Sequence, residues 1–396
     1  MKPWGRTMKR GLPALVLGWC LTFPALAEPY RPAADDEVLE SLPARGENWR
    51  ELRELRQKVK ENRADPGPAL TLVRRYIELG RAESDPRYYG HAEAVLASWL
   101  RAAEPSPEAL TLRATLLQNR HEFAKALEDL SRALARQPRL AQAWLTRAVI
   151  LEVQGNYPAA LNSCLPLARL ASPLTSAVCL NSALSLSGQG DFAYQRLGLA
   201  LAQTEADGPE ILWAQVTAAE IAERLGRFDE AERHYRKALG LNLKNAYLWA
   251  TYADFLLDRE RPKEVLNLLK NETRPDNLLL RLTLAEQRLG SPALSAHVDA
   301  LKARFAASRL RGDTTHQGDE ARFTLHLLNE PIRALELAKA NWAVQREPRD
   351  ARILLESALA AGRNDSAQPV LDFIAQSRLQ DVRLRGLGDR IMANSR

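Results

Sequence analysis

Apolar and small residues recur along this chain three and four positions apart. No segment sustains a two-residue alternation, so the pattern predicts helices and essentially no sheet. From Pro107, helix-forming residues run to Asn119, a turn follows at Arg120-His121-Glu122, and a second helix runs to Gln137, where Pro138 ends it. From Ala141 the plan recurs as Trp144, Ala148 and Leu151, a turn at Gly155-Asn156-Tyr157, then Ala160, Cys164 and Ala168, with Pro173 beyond. From Leu212 it recurs as Ala219, Ala222, Gly226-Arg227-Phe228, Ala231, Tyr235 and Ala238, and from Ala246 as Trp249, Ala253, Leu256, Pro262, Val265 and Leu269. The starts 107/141 and 212/246 are each 34 residues apart. Small residues such as Ala148 and Ala160 let the two helices of a hairpin approach closely, and Phe123, Tyr157 or Phe228 fills the gap beside them. The turn glycine ends the first helix where a left-handed backbone is needed.

A 34-residue helix–turn–helix with Trp or Leu at position 4, Ala at 8, Leu at 11, Gly at 15, an aromatic at 17, Ala at 20 and Pro near 32 resembles the tetratricopeptide repeat. The resemblance implies an all-α, right-handed superhelical solenoid. Each repeat then touches mainly its neighbours, so stability is expected to add up repeat by repeat. Weaker copies flank the clear ones. Residues 66–106 read as a divergent hairpin with an expanded turn at Arg81 to Gly90, 107–279 as the repeats, 280–379 as divergent hairpins, and 380–396 as a polar capping helix. Residues 28–65 comprise a proline-rich extended stretch and a charged helix from about residue 47.

The N-terminus changes how charge is read. Lys2, Arg6, Lys9 and Arg10 precede an apolar stretch from Leu12 to Ala27, which closes on Ala25-Leu26-Ala27. That is the layout of a cleaved signal peptide over residues 1–27. The stretch is shorter than the roughly 20 residues a membrane span needs, and Trp19 before Cys20 argues against lipidation. The chain carries 55 basic and 49 acidic residues, and losing the four signal-peptide cations leaves 51 against 49. Arginines and glutamates are interspersed, with no clustered basic face, so nucleic acid is not an expected partner. No second stretch is long and apolar enough to insert in a membrane. The mature protein is expected in the periplasm or exported.

Catalytic and metal motifs are missing. The six histidines lie far apart without His or Cys neighbours at ligand spacing, and there is no phosphate loop or nucleophile elbow. No cofactor or metal is expected, and the chain is not expected to be an enzyme. Cys164 and Cys179 sit about seven residues either side of the turn at Ala171-Ser172, level on antiparallel helices, where a disulfide can form in an oxidising compartment; two buried thiols are the alternative.

At 100° per residue, positions 4, 8 and 11 of each first helix face the hairpin core, and positions 2, 5, 9 and 12 form a second stripe. The resemblance implies that this stripe lines the concave groove. It contains Leu145, Val149, Leu180 and Leu184 as an apolar floor, Trp213 and Tyr247 as aromatic anchors, and Glu220, Glu223 and Asp254 as charges to steer a basic partner. These groove positions hold neither Lys nor Asn, unlike the family's clamp for C-terminal carboxylates. The expected partner is a protein or peptide with hydrophobic anchors and basic residues, held by an envelope scaffold or adaptor. A permanent structural subunit of an envelope complex is the alternative.

The signal-peptide reading predicts a mature chain beginning at Glu28. N-terminal sequencing of the exported protein should return it; Met1, or a lipidated Cys20, would overturn the assignment.

Overall fold

The computed structural model describes residues 47–394, apart from 63 and 206. The signal peptide, its Ala27 cleavage site and the extended stretch 28–46 lie outside the described residues. From Arg50 onward the described residues form one compact unit, which holds all the hairpins. Among the described residues every regular element is helical. Helix α1 (Glu47–Glu61) is followed by the hairpins α2 (Pro66–Glu83) with α3 (Pro86–Leu100) and α4 (Pro107–Asn119) with α5 (Phe123–Arg136). Next come α6 (Ala141–Val153) with α7 (Tyr157–Cys164), a single-turn α8 (Leu167–Leu170), and α9 (Pro173–Leu186) with α10 (Gly190–Ala202). The solenoid continues as α11 (Gly208–Arg224) with α12 (Phe228–Gly240), α13 (Ala246–Asp258) with α14 (Pro262–Leu269), and α15 (Asp276–Leu289) with α16 (Leu294–Leu310). The last elements are α17 (Gln317–His326), α18 (Pro331–Val344), α19 (Pro348–Ala360), a short 3₁₀ turn at Asn364–Ala367, α20 (Gln368–Ser377) and α21 (Val382–Asn394).

Local chemistry sets the helix starts. Ser106, Ser172 and Asn245 stand at N-caps and accept from the backbone N–H of Ala109, Thr175 and Leu248, at 3.1, 3.0 and 2.8 Å. Pro107 and Pro173 follow two of these caps, where a missing N–H costs nothing. The expanded turn expected at Arg81 to Gly90 shrinks to Ser84-Asp85. Asp85 caps the next helix by accepting from Arg87 N–H, Ser84 takes a left-handed backbone, and Pro86 restarts the helix at once. Pro166 ends α7 and leaves α8 as a separate turn, because a proline cannot donate to the preceding carbonyl ladder.

The small residues sit where the hairpins need them. Ala160, Ala219, Ala222, Ala231, Ala238 and Ala253 are fully buried, and so is the ring of Tyr235. Consecutive hairpins stack, and their curvature brings α2 against α13. The chain then turns back. Residues 345–383 run along the inter-helix turns of four earlier hairpins. Gln345 meets the His121 ring at 3.1 Å, Arg346 donates its N–H to the Val153 carbonyl at 2.7 Å, and Gln380 accepts from Gly190 N–H at 2.7 Å. The Phe373 ring lies against Tyr157, centroids 5.9 Å apart, and against Trp342 at 5.3 Å. Helix α21 is therefore more than the polar outer cap expected from sequence: Leu384 and Ile391 are buried in the same cluster as Tyr157 and Leu186. Most contacts run between neighbouring hairpins, as expected, and the returning segment adds long-range ones.

Cys164 and Cys179 form a disulfide, Cα–Cα 5.7 Å, tying α7 to α9. It closes a 15-residue separation, for which loop-closure entropy gives about 3 kcal/mol of stabilisation. Reduction, or Cys164→Ser with Cys179→Ser, should lower the unfolding free energy in urea by about that amount. Two titratable thiols in denatured, unreduced periplasmic protein would show that the bond does not form.

Candidate functional site

The acidic half of the second stripe faces a chamber of about 300 Å³. Its walls come from α6, α9, α11, α13 and α15, through Glu152, Ser182, Glu220, Asp254 and Arg281 among others. Its floor comes from the returning C-terminal segment, through Gln345, Glu347, Arg349, Asp350 and Arg352. Tyr247 stands at its edge, 44% exposed.

The apolar half of the stripe is placed differently from the acidic half. Leu145, Leu180 and Trp213 are half-buried and pack beside Ala148, Cys164, Leu167 and Cys179, the cluster around the disulfide. Leu184 is half-buried against Leu174, Val178 and Ile221, and Val149 is half-buried as well. None of the five is fully exposed. None of them lines the chamber, whereas Glu220, Glu223, Tyr247 and Asp254 do.

From sequence, Glu220, Glu223 and Asp254 are charges free to meet a basic partner. Two of the three are already neutralised by arginines of this chain. Glu223 is only 5% exposed; Arg383 reaches one of its oxygens, and Tyr235 donates its hydroxyl to the other at 2.9 Å. Asp254 accepts from Arg281 at 2.9 Å and from Arg322 at 2.5 Å. Arg281 also reaches Asp319 at 3.1 Å. Arg352 grips Asp258 with two nitrogens, at 2.6 and 2.7 Å, and Glu356 at 2.7 Å. The physical reason is burial: removing a charge from water costs on the order of several kcal/mol unless a counter-charge and hydrogen bonds meet it. Of these three, Glu220 keeps a carboxylate without an arginine, accepting from the Tyr247 hydroxyl at 2.6 Å.

The environments pull these acids apart. Burial raises the Glu152 carboxyl to about 7 against the opposing hydrogen bond from Ser182. Burial likewise raises Glu223 to about 7 despite Arg383, and moves Glu220 upward. Burial would raise Glu356 too, but His326 and Arg352 outweigh it and hold it at about 2. Burial at Asp254 is outweighed by Arg281 and Arg322, which hold it well below the usual carboxylate range. Burial lowers the His121 imidazole to about 4, so at neutral pH it meets Gln345 uncharged. Among the described residues no group of His, Cys, Asp and Glu has a geometry that could hold a metal ion.

Sequence reasoning missed the C-terminal arginines and half of what the turn glycines do. Gly155 and Gly188 have φ of 77° and 84°, the left-handed region where glycine is favoured. A Cβ on Gly155 would also sit 2.7 Å from the Phe373 ring, and one on Gly188 2.8 Å from Cβ of Arg378. These glycines therefore also admit the returning segment. The available signal is the run of arginines Arg346, Arg349, Arg352, Arg378 and Arg383 in hairpins whose repeat pattern is weak.

A family model for the tetratricopeptide repeat matches residues 111–170 and 216–264. Among solved structures the chain is similar to one in the crystal structure of the APC/C hetero-tetramer Cut9–Hcn1, at 13% identity, covering 87% of this chain and 66% of that one, with a TM-score of 0.52. This chain thus spans just under two thirds of that relative. It is also similar to a Rap protein complexed with competence and sporulation factor, at 15% identity, 87% and 99% coverage and a TM-score of 0.49. A third is a tetratricopeptide repeat protein from Parabacteroides merdae, at 15% identity, 78% and 99% coverage and a TM-score of 0.32. No curated protein matches the sequence. At 13% identity the first of these likenesses speaks to the fold alone.

The chamber predicts a pH profile. Glu152 and Glu223, raised to about 7, hold protons more tightly folded than unfolded. The stability they lend is fully present below the ordinary glutamate value of 4.5 and is lost as pH rises through about 7. Glu356, held at about 2, acts oppositely: its stability is present above its ordinary value of 4.5 and lost as pH falls towards 2. Asp254, also held low, behaves in the same way. The thermal midpoint should therefore peak near about pH 5 and fall towards about pH 8, and Glu223→Gln should flatten that fall. A midpoint that climbs between those two values would contradict the burial of these acids.

Proposed function

Taking the chain as the tetratricopeptide-repeat protein it is, we propose that it is a periplasmic scaffold or adaptor that holds a protein or peptide partner at the concave face of its solenoid. The observation that carries this is the line of Leu145, Val149, Leu180, Leu184 and Trp213, only half-buried, four of them at the edge of the hairpin cores with part of their surface still open. A solvated face does not collect four aliphatic residues and a tryptophan, and aromatic anchors dominate the energy of most interfaces. Among the described residues no helix is long and apolar enough to cross a membrane. The N-terminal pattern supports export, and the disulfide suits an oxidising compartment.

A permanent subunit of an envelope complex is the alternative within the same fold. It should aggregate or unfold when purified alone, whereas an adaptor should run as a stable monomer. An enzymatic reading draws on the convergence of titratable groups in the chamber. Against it, most of these acids are neutralised by arginines. Ser182, the serine among the chamber-lining residues, donates to Glu152, and the hydrogen bonds of His121 run to Gln345 instead. We read the chamber as a place that binds rather than reacts.

The test is capture of partners from periplasmic extract by the mature protein. Leu145→Ser with Leu184→Ser should abolish capture of the specific partner while shifting the thermal midpoint by only a few degrees. If the double variant unfolds, those leucines belong to the core. If it stays folded and captures the same partner undiminished, the partner docks elsewhere.

A further inference from the structure

The chamber carries more carboxylates than its own arginines neutralise. Nine acids line it, Glu152, Glu220 and Glu223 among them, against six arginines and no lysine. Five of the arginines already form ion pairs: Arg281 and Arg322 with Asp254, Arg349 with Glu347, Arg352 with Asp258 and Glu356, and Arg383 with Glu223. The sixth, Arg224, donates to the Ser185 hydroxyl at 2.7 Å.

The surplus gathers at one place. Glu152 accepts only from Ser182, at 2.7 Å, and Glu220 only from Tyr247, at 2.6 Å. Each uses one carboxylate oxygen, and the other oxygen has no hydrogen-bond partner among the described residues. Both carboxylates feel the same set of charges, Glu347 from the floor and Arg224 from the wall, and Arg349 faces Glu220 as well. Both line a partly open volume of about 300 Å³, the low end of what a small-molecule site occupies. The ring of Tyr247, 44% exposed, stands where it can lie against a cation.

Those features select the class of ligand. An anion entering would meet the surplus carboxylates. A bare metal ion needs three or more ligands converging at close range, and the described residues offer no such group. An alkylammonium or guanidinium group needs two or three separated acceptors and an aromatic face, and the chamber has them. We propose that the chamber binds an organic cation of this kind, on a free polyamine or on a lysine or arginine side chain, with Glu152 and Glu220 as its acceptors. Burial moves both carboxyls upward, and a cation seated on their free oxygens favours the charged form, so binding expels protons. The site lies apart from the apolar stripe, so it stands whether or not a protein partner docks there.

Titration calorimetry of the mature full-length protein tests this at about pH 7.5, with spermidine as one probe and an Ala-Arg-Ala-Arg-Ala peptide, acetylated and amidated, as the other. Binding of one equivalent is expected. Its heat should depend on the buffer's ionisation enthalpy in the sense of proton release, and affinity should fall at least tenfold at about pH 5.5. Glu152→Gln with Glu220→Gln should lose at least tenfold in affinity while the thermal midpoint is kept, and Glu122→Gln, which does not line the chamber, should bind as the unmodified protein does. Saturation by spermidine alone assigns the site to a free polyamine, and saturation by the peptide alone to a side chain of a partner. Two outcomes overturn the proposal: neither probe binds at one equivalent, or the folded double variant binds as tightly as the unmodified protein. Should the double variant not fold, the buffer dependence of the unmodified protein decides, since binding without proton release also sinks the idea.

Discussion

Most of the carboxylates on the inner face of this solenoid are held by arginines from later hairpins. Asp254 depends on Arg281 and Arg322, Asp258 on Arg352 and Arg383, and Glu223 on Arg383. Desolvation of each charge is large, and only paired, hydrogen-bonded geometry returns it. Removing one arginine leaves an uncompensated buried acid, which costs more than the pair contributes. The return of the C-terminal hairpins and the acidity of the inner stripe are therefore one feature seen from two sides.

Close approach makes that pairing possible. The turns of the earlier hairpins have to be bare enough for residues 345–383 to lie against them. At Gly155 the Phe373 ring occupies the space a side chain would fill, and at Gly188 the Arg378 backbone and side chain do so. The same glycines supply the left-handed backbone that ends α6 and follows α9. One residue type thus satisfies a local demand and a distant one, and a substitution there would strain both.

The helices, their turns and the packing of the hairpins were legible in the sequence because they depend on residues within a few dozen positions. The buried alanines Ala148 and Ala160, Pro173 after Ser172 and the period of 34 all report local geometry. The stripe holding Glu220, Glu223 and Asp254 was legible for the same reason, since 100° per residue fixes which side chains share a face. What covers that stripe was not. Arg383 and Glu223 are 160 positions apart, and Gln345 and His121 are 224 apart. No periodicity within a repeat encodes such a meeting, and the hairpins that supply Arg322 to Arg383 depart furthest from the repeat pattern. The expanded turn at Arg81 to Gly90 failed for a smaller reason: Asp85 and Pro86 start a helix that Gly90 then continues without harm.

The return contact also changes what kind of stability this solenoid has. In an open array each repeat is held by its neighbours, and a free energy can be assigned to each interface in turn. Here the segment 345–383 touches the turns at His121, Gly155, Gly190 and Gly226 at once. Opening any one of those hairpins loosens the floor of the chamber, and loosening the floor exposes acids on all the others. The disulfide between α7 and α9 ties two of the hairpins involved. Repeats 107–258 and the C-terminal hairpins should therefore unfold as one cooperative unit. The hairpin of α2 with α3 takes no part in the floor and joins that unit only through α4 and the α2–α13 contact.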